Sequence, residues 1–211
     1  MAYFRTNHFD EAVSAIEAVA DFSASVVADP YRWKWVVVAV HGTVQAFMIL
    51  ALHRGNGLLA MPDKRRDEWL KKYRAGEPLP ADRMDSFLNL YDKVKTEAAA
   101  GWVHSKPFAP GETHDESMRK LNEIRNEFIH FMPKVWALEL AGLPSICLDC
   151  LAVARFLHGE GGNILWHKAE VRERAEEAFD RAEHALRGAA VEYLKRAMPG
   201  SGHPSTPDQP V

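Results

Sequence analysis

The run VVVAVHGTVQAFMILAL, residues 36–52, restricts the fold of this chain more than any other segment. Its 17 residues carry no charge and only His41, Thr43 and Gln45 as polar interruptions. A stretch that short lies at the lower limit for crossing a bilayer, and its polar residues argue against that use. A helix apolar around its whole circumference is instead expected at the centre of a bundle, covered on every side by other elements.

The rest of the chain supplies those elements. Asn7 or Thr6 precedes an amphipathic segment over 7–28, with Asp10 and Glu11 in the first turn where the helix dipole favours acids. Phe9, Val13, Ile16, Val19 and Phe22 recur on one face at helical spacing. The second helix starts near Pro30 and stops at RGNG. A short charged helix is expected in KRRDEWLKKYRAG, and a longer one from Asp82 with Met84, Phe87, Leu88, Tyr91 and Val94 as its stripe. A loop rich in Pro, Gly and His, including His104 and His114, leads to a helix over 115–131 that ends before Pro133.

A further helix is expected over 144–157, stopped by glycines 159, 161 and 162. The segment over 167–198 is long and charged, with a narrow seam of Val171, Ala175, Ala178, Phe179, Ala182, Leu186, Ala189 and Tyr193. That seam suits packing on the bundle or on a second copy. The expected organisation is therefore all-α: an up-and-down helical bundle over 1–166, a long C-terminal helix over 167–198, and a disordered tail over 199–211. No repeat and no alternating strand pattern interrupts it.

The polar start of the chain shows no signal-peptide pattern, and two cysteines in CLDC read as reduced thiols, so a cytoplasmic location is expected. Cys147 and Cys150 would hold zinc only if His158 and His167 joined them. No metal or other cofactor is expected. A net charge of −3 gives no global basic field, although a dimer seam can still concentrate a few arginines.

Chemistry is concentrated in KLNEIRNEFIHF, residues 120–131. At ~100° per residue, Leu121, Ile124, Phe128 and Met132 form a core stripe, while Arg125 and His130 lie about 140° apart around the axis. Arg125, four intervening residues and His130, with polar Asn126 straight after the arginine, resemble the motif of HEPN domains. The likeness extends to context, since the motif lies late in a helical bundle, and residues 31–157 would span the family core. It implies a bundle that dimerises with its motif helices at a two-fold axis. Many such domains are metal-independent endoribonucleases of toxin–antitoxin or phage-defence systems, and others are non-catalytic modules binding nucleotide, RNA or a protein partner. By this likeness Arg125 and His130 take the catalytic places and Asn126 the polar one. Toxins silenced by nucleotide transfer carry a tyrosine two residues after the histidine, where this chain has Met132, so that subgroup is not matched.

The residue types suit the chemistry. Histidine can move the proton of a 2′-hydroxyl near neutral pH, and arginine offers a permanent forked cation to phosphate. The expected partners are RNA or a nucleotide, a second copy in a homodimer, and an antitoxin-like protein, with no membrane. The bland alternative pairs Arg125 with nearby carboxylates and leaves His130 as a helix-end cation.

His41 and Gln45, four apart, share a face of the apolar helix. They form either a satisfied polar pair inside the bundle or a lining of the motif's cleft that assists RNA or orients Arg125. RWKW, residues 32–35, interleaves aromatics and cations as single-strand binders do, or else starts a helix with one tryptophan inside. A third reading, a purely structural oligomer held by the C-terminal helix, implies dimers that vanish on truncation near Gly162.

Overall fold

The computed structural model describes residues 1–53, 55–97, 101–130 and 135–197. The tail over 199–211, and Met132 with Pro133, lie outside them. Among the described residues the regular structure is seven α-helices and one 3-10 turn at Leu58–Ala60, with no strand: α1 (His8–Ser23), α2 (Arg32–His53), α3 (Asp63–Ala75), α4 (Phe87–Val94), α5 (His114–Ile129), α6 (Leu143–His158) and α7 (Ala169–Ala197). The protein is all-α.

The helix ends follow local chemistry. Asn7 is the α1 cap, its Oδ1 accepting from the backbone N–H of Phe9 at 2.9 Å and of Asp10 at 3.1 Å. The helix stops at Ser23, and residues 24–28 continue as turns rather than as the expected last helical turns. The helix expected from Asp82 begins at Phe87 under a Ser86 cap and is only 8 residues long. The chain before it is spent on Asp85, which is buried and draws in Lys93 at 2.7 Å and the Asn89 amide at 2.7 Å. Burial alone would raise the Asp85 pKa, but its bonds to Lys93, Asn89 and the Ser86 amide outweigh that and hold it below the usual range.

α2 sits at the centre. It packs against α1, α4, α5 and α6, which bury Val36, Val37, Val40, Val44, Phe47 and Met48 completely. By length and composition α2 is apolar enough to cross a membrane, yet most of it is inside the protein, and that burial accounts for its apolarity.

α7 is an integral wall. The pairs α1–α2, α2–α6, α6–α7 and α7–α1 close a ring of four helices. The narrow seam is buried from Ala175 to Tyr193, and its alanines let the backbones approach closely. Of the two uses open to that seam, this chain uses it internally. Across the α6–α7 contact, Arg155 reaches Asp180 at 2.7 Å, Glu183 at 3.2 Å and also Glu176, whose second oxygen accepts from His158 Nε2 at 2.9 Å.

One hydroxyl ties the ring's end together. Trp33 Nε1 donates to Tyr193 Oη at 2.8 Å, and Tyr193 Oη donates to the Val26 carbonyl at 3.1 Å. Of the two tryptophans in RWKW, Trp33 is therefore the core residue, whereas Trp35 stays 47% exposed with Lys34 Nζ 5.1 Å from its ring centre. Tyr193→Phe keeps the ring but strands the indole N–H and the carbonyl. It is expected to lower stability by about 1–3 kcal/mol in urea unfolding followed by circular dichroism.

Candidate functional site

α5 carries the motif and is fixed first by its N-terminal half. Tyr91 Oη donates to Asp115 Oδ1 at 2.8 Å, and Ser117 Oγ donates to Asp149 Oδ2 at 2.7 Å, which ties the helix to α4 and α6. Met118 and Leu121 are fully buried, and Ile124 and Phe128 pack on the core edge. Continuing the line of Met118 and Leu121 by helical spacing brings Arg125 to a nearly core-facing position, and its side chain is accordingly half-buried.

The structure joins His41 to this helix. His41, only 4% exposed, donates from Nε2 to Asn122 Oδ1 at 3.2 Å. Its ring stacks on Phe87 with centroids 3.9 Å apart and planes 20° apart. Burial lowers the His41 pKa to about 4; the bond to Asn122 raises it in part, and the Arg125 charge lowers it further. At neutral pH the imidazole is therefore neutral, and the guanidinium is close enough to act on it.

Arg125 Nη1 donates to Asn126 Oδ1 at 3.0 Å. Among the described residues its guanidinium forms no ion pair, so the bland expectation of a neighbouring carboxylate is not what is found. Asn126 thus holds Arg125, and no bond joins it to the His130 ring. His130 is the C-terminal cap of α5; its backbone N–H donates to the Asn126 carbonyl at 2.9 Å while its side chain is exposed. Within one chain, no hydrogen bond links Arg125 to His130, as their angular separation on the helix implies.

The expected pair of His41 and Gln45 separates. Gln45 is half-buried and makes no hydrogen bond with a described residue, whereas His41 takes its partner from α5. His41 meets α5 about two turns, or ~12 Å of axis, before His130. It orients the helix near Arg125 and does not reach the histidine. The residue that sequence reading missed is Asn122. Its signal was present, since Asn122, Arg125, Asn126 and Ile129 recur at spacings of three and four.

Cys147 and Cys150 are buried in the inner face of α6, where burial pushes the Cys147 thiol up to about 12 and raises Cys150 as well. His158 is occupied by Glu176, and His167 lies elsewhere, so these four residues do not assemble. Among the described residues no group of three or more His, Cys, Asp or Glu has the geometry of a metal site. No family model, no curated protein and no solved structure matches this chain.

The His41 environment yields paired predictions. In an NMR titration of the imidazole, Arg125→Gln is expected to raise the His41 pKa by removing a nearby cation, and Asn122→Ala to lower it further. Because the folded pKa of about 4 lies below the ordinary 6.5, the unfolded chain binds this proton more readily. Stability is therefore expected to fall as pH drops from about 6.5 to 4, and His41→Phe to flatten that dependence in pH-resolved urea unfolding.

Proposed function

We propose that this protein is a metal-independent endoribonuclease of the HEPN kind, acting as a homodimer in a toxin–antitoxin or phage-defence setting. The observation that supports it most is Arg125, a half-buried guanidinium oriented by Asn126 and not neutralised by any carboxylate among the described residues. A cation placed so, at modest solvation, is suited to a phosphate.

The motif helix also explains the need for two copies. Arg125 and His130 of one chain occupy different flanks of α5, so a complete site takes Arg125 from one copy and His130 from the other. Ile129, exposed and beside Arg125 and Asn126, offers the apolar contact for that pairing. In such a site His130 removes the proton of a ribose 2′-hydroxyl, and the oxygen attacks the adjacent phosphorus. Arg125 holds the phosphate oxygens as their charge grows, and the 5′-oxygen leaves with a proton, giving a 2′,3′-cyclic phosphate and a 5′-hydroxyl. His41, buried and neutral, supports α5 and does not exchange protons with substrate.

A second reading, a non-catalytic module binding RNA or nucleotide through Arg125, is favoured by the absence of any direct bond between Arg125 and His130. Cleavage of labelled RNA in excess chelator separates the two. The wild type is expected to cleave, and Arg125→Ala and His130→Ala each to lose at least about 100-fold. Mixing the two inactive variants is expected to restore part of the activity, because a mixed dimer contains one intact composite site. RNA binding without cleavage, weakened by Arg125→Ala alone, would transfer the assignment to the binding module.

A further inference from the structure

A second site lies at the other end of α2. His53 is 12 residues, or ~18 Å of helix axis, beyond His41. There the first turn of α1, the end of α2, the segment at Trp102 and the loop between α6 and α7 enclose a cavity of about 320 Å³. Its walls are apolar, from Phe9, Leu50 and Ile164. Its polar groups are three imidazoles, from His8, His53 and His167, with the Asn163 amide and the Trp102 indole.

The donor set identifies the ligand class. His8 and His53 stack with centroids 5.3 Å apart, and Phe9 meets His167 edge-on at 5.4 Å, so the imidazoles stand around one opening. Asn163 is 4% exposed; its Oδ1 accepts from the Gly101 N–H at 3.5 Å, which leaves its Nδ2–H2 without a partner among the described residues. The indole N–H of Trp102 likewise makes no bond to a described residue, although its backbone is fixed by Ser105. No carboxylate lines the cavity; Asp10, on the adjoining side of α1, is bound by Asn7, and Lys168 follows His167. Donors are thus abundant, an acid is missing, and the floor is apolar and aromatic. This is the usual balance of a small-ligand pocket, in which apolar walls hold the body and a few polar groups fix one end.

We propose that this cavity binds a small organic carboxylate with a flat apolar body, its carboxylate among the imidazoles and the Asn163 amide and its body against Phe9, Leu50 and Ile164. The site is independent of the ribonuclease reading and would stand if that reading failed. Partial desolvation at the cavity rim lowers the His8 pKa, with the charges of His53 and His167 adding to it. An arriving anion reverses that balance, so binding is accompanied by proton uptake and tightens as pH falls through the histidine range.

Calorimetric titration of the full chain with sodium benzoate tests the proposal, in two buffers of different ionisation enthalpy. Saturable one-to-one binding with net proton uptake is expected, with neutral benzamide at least tenfold weaker. Asn163→Asp keeps the acceptor for Gly101 but replaces the amide donor by a negative charge, and a tenfold or greater loss is expected. His8→Gln with His167→Gln changes only exposed side chains and decides the matter if Asn163→Asp misfolds, since it too is expected to lose at least tenfold. Absence of saturable benzoate binding, equal binding of benzamide, or wild-type affinity in the double histidine variant would each overturn it.

Discussion

Covering α2 is the requirement from which the rest of the arrangement follows. A helix apolar on nearly every side gains stability only if neighbours remove all of its faces from water, and one or two partners leave part of it wet. Four helices surround it here, and the two helices on either side of it are themselves closed by α7. The same requirement fixes where polarity is tolerated. His41 lies in the middle of that covered surface, and a buried imidazole needs a partner, so the helix facing it must present one. Asn122 meets that need, which places the polar face of α5, and with it Arg125, against α2.

Closure by α7 has a second consequence. Its seam of alanines, with Phe179, Leu186 and Tyr193, is narrow enough to fit between α1 and α6, and the charged flanks are left to pair with them. Arg174 reaches Glu17 on α1 at 2.9 Å, and Arg155 on α6 is met by three acids of α7. The α7 seam is used internally, while Val191 and Leu194 on its outer face stay exposed. On the motif helix the exposed large apolar residue is Ile129.

The two ends of α2 therefore present different chemistry from the same residue type. At His41 burial suppresses the charged form and makes the ring a fixed hydrogen-bond donor. At His53 the helix has emerged far enough for three imidazoles to gather around an open cavity whose floor is still apolar. Depth along one helix, rather than the identity of the side chain, separates a structural histidine from a ligand-facing one.

By itself the sequence determined the all-α class, the central position of α2, the buried seam of α7 and the positions of most helix ends, because these depend on local spacing, caps and breakers. It also marked Arg125, Asn126 and His130 as candidate site residues on a helix that otherwise has a core stripe and a charged face. Only the tertiary structure decided that Asn122 receives His41, that Asn126 holds Arg125, that Asp85 and Lys93 shorten the start of α4, and that α7 completes a four-helix ring. Residues 8, 53, 102, 163 and 167 carry no shared pattern along the chain, so their cavity was invisible until the helices packed. Periodicity records which face of a helix is apolar; which face of which neighbour it meets is set by closing the whole core at once, and that information is not local.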